Sequence, residues 1–479
     1  MVIHMKKAKI AIVGLGHYIY FEQFQGLREE LRQKSEVFKN YIDPASCDLI
    51  DLGYVDRVED SFDAVRKLKK EDADLLFIIL STYVPSSVCA PFARYIDIPQ
   101  VLVGIQPLEH LDYSHTTTYM QLCNDDVCAI PEVAGVYERL GKQIPPCIVA
   151  SSAQSEKIKK QVSEWVSAAT AIAGFKYEIF GYLGHTYEGM YDMNTDPTAF
   201  TAAFGSHVKM LEMCELARLS QEVTEKEIKE QIKEITDTFE ICDPSIDPLT
   251  DFVKEEDLVY SARQAVALKK IVRNNNLTAL AYYYKSEPNN PYEQLAANLI
   301  IGNTLLTSSG IPLAGEADLK TAAAMLIMKN IGGGGSFAEI HPFDTSDDVV
   351  LIGHDGPHNI AIAEGKPRLR KLKKYHGKSG SGIGVEFSLK AGPITMLSIN
   401  VDRNGKFCMV AAEGTSIAGD IPQTGNTNTR VSFGENVCDF LSRWCEAGPT
   451  HHFALGVGHH MSTLRKFARV TGIKLIEVR

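Results

Sequence analysis

Short apolar runs alternate with amphipathic stretches through the first third of the chain. The apolar runs predict five strands, at Lys9–Gly14, Asp74–Leu80, Gln100–Ile105, Cys147–Ala150 and Lys176–Ile179. Amphipathic stretches such as Phe21–Lys34 and Ser155–Ala173 lie between them and predict helices. Buried strands that alternate with helices favour a parallel sheet with helices on both faces. We therefore expect a Rossmann-like α/β domain over residues 1–174, with ligands at the carboxyl ends of its strands.

The middle third is more helical than the first. Helices are predicted at Thr224–Phe239, Asp257–Asn274, Pro291–Leu306 and Glu316–Lys329, with one strand at Leu277–Tyr283. The glycine run Gly332–Gly335 ends the last of these helices and indicates a domain boundary. We expect a central α/β domain over residues 175–332.

Beyond the glycine run the pattern becomes that of a β-domain. Apolar runs joined by Gly, Pro, Asn and Asp turns predict strands at Val349–Ile352, Gly384–Leu389, Ile394–Val401 and Cys408–Glu413. The segment DRNGK is a hairpin signal. Helices near Glu435–Cys445 and Met461–Thr471 and a strand at Lys474–Val478 complete a predicted antiparallel domain over residues 333–479.

Composition and charge exclude several classes of partner. The 479 residues carry a net charge of −11, which disfavours nucleic acid because phosphate binding requires a basic surface. No apolar run approaches the roughly 18 residues of a membrane span. The apolar run at the N-terminus is short and ends at glycines, which favours a first strand over a signal peptide. Ten cysteines without a CxxC pair predict free thiols in a reducing cytoplasm.

Two nucleotide-like features have simpler interpretations. Gly14 and Gly16 follow the first predicted strand, but a dinucleotide loop needs a third glycine where Ile19 stands. A tight turn is therefore favoured. The basic run Lys366–Lys378 is typical of a solvated face or loop.

Two glutamates and two histidines form the most informative set of side chains. Glu316, Glu339, His354 and His452 lie beside glycine-rich or turn-forming residues. Two carboxylates and two imidazoles suit Mn²⁺ or another borderline divalent ion, and the carboxylates are also able to move protons. The simpler reading of Glu316 is a favourable charge at a helix N-terminus. Of the pair His451-His452, at most one is expected to be a ligand, since adjacent residues on an extended segment point to opposite faces.

Several motifs in order resemble the L-arabinose isomerase family, within the wider L-fucose/L-arabinose isomerase group. They are GEADLKTAAAMLIMK, GGGGSFAE, LIGHDG and GPTHHFALGVGHH in the last third, with STYVPSS and PQVLVGIQ in the first. The resemblance implies three domains, the last containing a β-barrel, and a homo-oligomer, a trimer or hexamer, with active sites shared between neighbours. It also implies a cation, Mn²⁺ or another divalent metal such as Co²⁺ or Mg²⁺, bound by Glu316, Glu339, His354 and His452.

The resemblance further implies an aldose–ketose isomerisation through an enediolate, with Glu316 and Glu339 as the catalytic residues that move protons. The chain is a divergent member: His17 follows a glycine where the family has glutamine, and Cys128 stands where the family has a histidine. The predicted metal ligands thus match the family, whereas residues expected near the sugar differ from it. The substrate is therefore expected to be a pentose or a hexose.

Four residues fall near the substrate contacts of the family and are predicted to bind the sugar: His17, Tyr18, Tyr83 and Tyr187. Two other functions stay open from the sequence. One is a non-catalytic sugar-binding sensor, and the other is a sugar epimerase that uses the same metal site.

Overall fold

The chain divides into two units, Lys6–Ala173 and Gly174–Arg479. The computed structural model describes residues 6–244, 247–285, 287–373 and 381–479. The further division of the second unit at residue 332 stays a prediction. Among the described residues, no helix has the length and apolar character that crossing a membrane requires, and all ten cysteines are free thiols.

The first unit is built on one parallel sheet. Its strands are β1 (Ala8–Leu15), β2 (Cys47–Val55), β3 (Leu75–Leu80), β4 (Gln100–Gln106) and β5 (Cys147–Ser151). They are ordered β2-β1-β3-β4-β5, and every neighbouring pair is parallel. This confirms the α/β character that the sequence predicts. The sequence misses β2, because its residues are mostly exposed or half-buried and give no continuous apolar run.

Seven helices belong to the first unit: α1 (Tyr18–Gln23), α2 (Leu27–Lys39), α3 (Val58–Glu71), α4 (Ser86–Tyr95), α5 (Thr118–Leu122), α6 (Ile130–Arg139) and α7 (Ser155–Ala173). The predicted bounds of α7 are confirmed. The single helix predicted over Phe21–Lys34 is wrong: Gly26 has a φ of +85° and separates α1 from α2. A left-handed residue interrupts a right-handed helix, which sequence periodicity does not reveal.

The second unit contains fifteen strands among the described residues. They are β6 (Ile179–Leu183), β7 (His207–Leu211), β8 (Glu240–Ile241), β9 (Thr250–Asp251), β10 (Ala279–Tyr282), β11 (Leu313–Ala314), β12 (Ser336–Asp344), β13 (Val349–His354), β14 (Arg368–Leu372), β15 (Gly382–Glu386), β16 (Gly392–Val401), β17 (Phe407–Ile417), β18 (Thr427–Ser432), β19 (Phe453–Val457) and β20 (Lys474–Val478).

Its helices are α8 (Pro197–Phe204), α9 (Met213–Gln221), α10 (Glu225–Thr238), α11 (Glu255–Asn274), α12 (Glu293–Ala296), α13 (Ile300–Ser308), α14 (Leu319–Asn330), α15 (Val437–Glu446) and α16 (Met461–Thr471). The helices predicted at Thr224–Phe239, Asp257–Asn274 and Met461–Thr471 match α10, α11 and α16 to within two residues. The single helix predicted over Pro291–Leu306 is wrong, because the chain forms α12 and α13 there, and α14 begins three residues later than predicted. The strand predicted at Lys176–Ile179 is wrong, because β6 only begins at Ile179.

Two main sheets organise this unit. The first is parallel, with strand order β11-β10-β6-β7. The second runs β16-β19-β12-β13-β18-β17-β20 and is antiparallel except for the pair β17–β20. Strand β16 also pairs with β17, so the path through six strands returns to the strand at which it began.

Helix α14 lies between these two sheets. It contacts β10 of the parallel sheet and both β16 and β19 of the large sheet, and its residues from Leu319 to Met328 are all buried. A helix that is apolar on every side is expected in such a position. The start of α14 is therefore fixed against both sheets.

A small sheet of β15, β14, β8 and β9 contains part of the basic run Lys366–Lys378. The expectation of a solvated loop is wrong for β14, where Arg370 is buried and its guanidinium donates to Glu386 and to the carbonyl of Asp243. A buried guanidinium needs such a partner. The rest of the run, residues 374–378, lies outside the described residues.

Candidate metal centre

The sequence suggests that a helix begins at Glu316. In the structure it does not begin there. Glu316 lies in a single 3-10 turn, Gly315–Ala317, directly after β11, and both Glu316 and Ala317 have positive φ, of 57° and 58°. Helix α14 begins only at Leu319, where the side chain of Asp318 accepts hydrogen bonds from the first backbone N–H groups. A left-handed backbone is unfavourable for residues with a Cβ, and such conformations cluster at functional sites.

Two antiparallel strands hold the next two predicted residues. Glu339 on β12 pairs in register with Gly353, and His354 is the last residue of β13. The strand predicted at Val349–Ile352 is confirmed, and it extends to His354. Gly353 leaves room for the neighbouring strand, since a Cβ there would overlap the carbonyl of Thr427.

His452 lies just before β19, whose Phe453 pairs with Ala338 on β12. Three neighbouring strands thus bring a carboxylate and two imidazoles together. The Nε2 atoms of His354 and His452 are 3.2 Å apart. Glu339 Oε1 is 3.8 Å from His354 Nε2, and Glu316 Oε2 is 3.7 Å from His452 Nε2.

The donor atoms of these residues form two groups among the described residues. Within each group the donor atoms all lie within 4.8 Å of one another, and the members are Glu339, His354 and His452 in one and Glu316, His451 and His452 in the other. Both groups include His452. The four residues predicted from the sequence therefore meet at one place, but they are divided between two sets.

Two further carboxylates lie beside the imidazoles. Asp355 Oδ1 lies 3.1 Å from His354 Nδ1, and Asp318 Oδ2 lies 3.2 Å from His452 Nδ1. When each Nδ1 carries the proton, both Nε2 atoms turn lone pairs towards each other. Two such lone pairs 3.2 Å apart need a positive charge between them, which is either a proton or a cation. Nitrogens bound to one ion at about 2.0–2.1 Å are spaced by roughly 3.0–3.4 Å, so the pair fits a metal ion.

The electrostatics of the glutamates differ. Burial raises the pKa of Glu316, whose Oε2 is buried without a hydrogen-bond partner. Burial also disfavours the charge of Glu339, but its hydrogen bond with His341 and the charge of His354 outweigh this and lower its pKa to about 2. Glu339 is thus a carboxylate near neutral pH, whereas burial makes the charged form of Glu316 less favourable.

The two facing imidazoles also differ. Burial opposes the charge of His354, yet Asp355 and Glu339 raise its pKa to about 9. Burial lowers the pKa of His452 to about 4, and Asp318 only partly offsets this effect. Without a cation, the charged form is favoured at His354 and disfavoured at His452, so a metal ion bound to both rings would compete with a proton on His354.

Sequence reasoning misses His341 as a member of the site. Its Nε2 lies 3.4 Å from Glu339 Oε1, and its Nδ1 lies 2.6 Å from the side-chain oxygen of Asn428. The signal was available, since residues two apart on a strand share a face. His341 therefore holds the glutamate in place from the same strand.

Asp192 is a second missed residue. It accepts hydrogen bonds from the backbone N–H and the ring Nδ1 of His451, at 2.9 and 2.6 Å. The two residues are 259 positions apart, so no local pattern reveals their contact. Asp355, in contrast, follows His354 directly in the sequence and lies beside its ring.

Three of the predicted sugar-binding residues lie in the first unit. The ring of His17 is 5.7 Å from that of Tyr18 and 6.1 Å from that of Tyr83. The guanidinium of Arg57 covers Tyr18, and the hydroxyl of Tyr83 donates to Glu132. His17 Nδ1 is buried without a hydrogen-bond partner. The structure thus brings these three together at the carboxyl ends of β1 and β3.

The fourth predicted residue, Tyr187, lies in the second unit. Its ring is 5.9 Å from that of Tyr284, and the ammonium group of Lys285 lies 5.3 Å from its centre. Burial raises the pKa of Tyr284, and the charge of Glu316 adds to this effect.

Comparison with known families gives two adjoining matches. Residues 192–334 match the L-arabinose isomerase central domain, and residues 334–474 match the L-arabinose isomerase C-terminal domain. The two matches together span more than half of the chain and include every residue of the metal centre.

Curated relatives extend the likeness into the first unit. The chain is 24% identical over 430 residues to L-arabinose isomerase 1 of Bacillus licheniformis, which covers 88% of this chain and 84% of the relative. It is 26% identical over 352 residues to the L-arabinose isomerase of Actinobacillus succinogenes, covering 70% and 67%. It is 21% identical over 462 residues to the L-arabinose isomerase of a Shewanella strain, and this match covers 94% of this chain and 90% of the relative.

Proposed function

This chain belongs to the L-arabinose isomerase family, whose members are isomerases, and from this premise we propose that it interconverts an aldose and a ketose in a metal-dependent reaction through an enediolate. The substrate is a pentose or a hexose, as in the conversion of L-arabinose to L-ribulose. The observation that carries the proposal is the meeting of two carboxylates and two imidazoles around the 3.2 Å contact of His354 and His452.

Glu316, Glu339, His354 and His452 would hold a divalent cation, Mn²⁺ or another such as Co²⁺ or Mg²⁺. The donor set, two carboxylate oxygens and two ring nitrogens, suits a borderline divalent ion. A bound cation supplies stabilisation for the negative charge of the enediolate oxygens. Asp355 and Asp318 hold the ring nitrogens in place for this purpose.

The two glutamates have different surroundings, and we propose different roles for them in the reaction. Glu316 Oε2 is buried and has no hydrogen-bond partner, so it is free to take the proton from C2 of the sugar and return it at C1. Glu339 is engaged by His341 and serves mainly as a ligand and a partner for hydroxyl protons. Acid–base work of this kind contributes about 10²–10⁴-fold to the rate.

We propose that His17, Tyr18, Tyr83 and Tyr187 bind the sugar. We also propose a homo-oligomer, a trimer or hexamer, in which neighbouring chains complete each other's active sites, and a β-barrel formed by the closed path of six strands. The family likeness supports the first, and the pairing of β16 with both β17 and β19 supports the second.

The test is to incubate the protein and Mn²⁺ with a panel of aldoses and ketoses and to separate the products. Formation of a ketose from one aldose is expected. Glu316→Gln and Glu339→Gln should each lower turnover by at least about 10²-fold, whereas Glu446→Gln, on an exposed position of α15, should leave it unchanged. Bound metal without any product would instead indicate a sugar sensor, and a product inverted at C4 would indicate an epimerase.

A further inference from the structure

His451 is held in a way that a surface histidine is not. Its backbone N–H and its ring Nδ1 both contact one oxygen of Asp192, at 2.9 and 2.6 Å. Asp192 lies in the 3-10 turn Tyr191–Met193, which stands between β6 and α8. The ring is therefore fixed by a segment remote in sequence, and its tautomer is fixed as well, since Nδ1 must carry the proton.

The other ring nitrogen of His451 is not engaged by Asp192. Nε2 is buried and has no hydrogen-bond partner. The residue belongs to the second group of metal-binding donors, with Glu316 and His452. A buried ring nitrogen with a lone pair normally accepts a hydrogen bond. Where no donor faces it, a bound cation would accept the lone pair instead.

Three histidines of the centre share one arrangement. In each, Nδ1 faces a carboxylate: Asp355 for His354 at 3.1 Å, Asp318 for His452 at 3.2 Å, and Asp192 for His451 at 2.6 Å. Histidines that bind metals almost always donate their second ring N–H to such a partner. By this criterion His451 has the surroundings of a metal ligand. The sequence favours only one ligand in the pair His451-His452, because adjacent residues on an extended segment point to opposite faces.

We infer that His451 is a metal-binding residue positioned by Asp192, and that Glu316, His451 and His452 form a second position for the cation. This position shares Glu316 and His452 with the proposed site of Glu316, Glu339, His354 and His452. Because Asp318 occupies Nδ1 of His452, only Nε2 is free, and one nitrogen serves one ion. A single cation per chain therefore has two alternative positions. The inference rests on the metal dependence in the proposed function.

The test measures Co²⁺ or Mn²⁺ binding by calorimetry without any sugar. His451→Asn is made both in the natural chain and in a His354→Asn chain. With two alternative positions, loss of one leaves the other, so the affinity should fall by less than about 10-fold in the natural chain and by more than about 100-fold in the His354→Asn chain. One ion per chain is expected in the natural protein.

Two outcomes would overturn the inference. Equal losses in both chains would mean that His354 and His451 bind the same ion in one position, and no loss in either would mean that His451 is not a ligand. His207→Asn, at an exposed position of β7, is the matched control and should leave the affinity unchanged.

A second variant guards against misfolding. Asp192→Asn keeps all three imidazoles and, in the His354→Asn chain, should weaken cation binding by about 10-fold; an unchanged affinity there would count against the positioning role. These measurements need no substrate. A protein that binds the cation as described but converts no sugar would refute the isomerase and leave the two positions standing.

Discussion

Asp318 Oδ2 lies 3.2 Å from His452 Nδ1, although the two residues are 134 positions apart. The same oxygen accepts a hydrogen bond from the hydroxyl of Thr321 at 2.8 Å, and the other oxygen accepts from the backbone N–H of Lys320 at 3.1 Å. One carboxylate therefore caps helix α14 and orients a predicted metal ligand. The geometry of the site is thereby coupled to the start of a fully buried helix.

Asp318→Asn is expected to weaken cation binding by about 10–100-fold, because the orienting carboxylate is lost. It should also lower the free energy of unfolding by about 3–5 kcal/mol, since the ammonium group of Lys320, fully buried and 3.6 Å from Asp318, loses its counter-charge. Calorimetric titration and urea denaturation measure the two effects.

Lys320→Met in the same chain separates these effects. The double variant should regain most of the stability, because the buried charge is gone, while its affinity for the cation stays low. Wild-type affinity in the double variant would show that Asp318 acts only through the fold.

A divalent cation is expected to stabilise the chain against heat. It would replace a proton on His354, and a ligand at 100 times its dissociation constant adds about 2.7 kcal/mol to the free energy of unfolding. Thermal denaturation with Mn²⁺ and with a chelator measures the shift. His452→Asn removes the residue common to both donor groups, and a shift that persists in this variant would place the ion elsewhere.

Gly353→Ala is expected to destabilise the second unit by roughly 1–3 kcal/mol. The added methyl group would overlap the carbonyl of Thr427 and push β13 from β18. His354, whose N–H donates to Thr427 Oγ1 at 3.1 Å, would be displaced, and cation affinity should fall. Gly135→Ala is the control: it lies in α6 with nothing near its Cβ position, and alanine there should be neutral or stabilising. Similar losses of stability in the two variants would argue against the overlap.

Glu477 on β20 is expected to give the chain a pH-dependent stability in acid. A bidentate pair with Arg465, at 2.7 and 2.6 Å, lowers its pKa to about 2, and Arg479 adds to this. A carboxyl whose pKa is lower in the folded state stabilises the fold above its unfolded pKa, near 4.5. This contribution is lost as the pH falls through about 2.

Because Arg465 is half-exposed, the contribution is expected to be only about 1 kcal/mol. Urea denaturation of the natural chain and of Glu477→Gln between about pH 6 and about pH 2 measures this contribution. The difference between them should shrink as the pH falls, and a constant difference would refute the assignment.

Periodic elements could be predicted from the sequence because their signal is local. Helices α7 and α16 and strand β20 have the bounds that the apolar pattern predicts. Strand β12 gives no such pattern: it contains Pro342 and a break in register between Ile340 and Phe343. Its existence depends on pairing with β13 and β19, which lie later in the chain.

The amino-acid sequence alone was enough to predict the α/β character of the first unit and the kinds of side chain at the centre. The motifs around Glu316, Glu339, His354 and His452 are sufficient for that, because residue type limits which chemistry is available. Which atoms face each other depends on the tertiary structure. Strand register and the buried helix bring Asp318 to His452 across 134 positions, and the 3-10 turn Tyr191–Met193 brings Asp192 to His451 across 259 positions. Contacts over such distances leave no local pattern in a sequence.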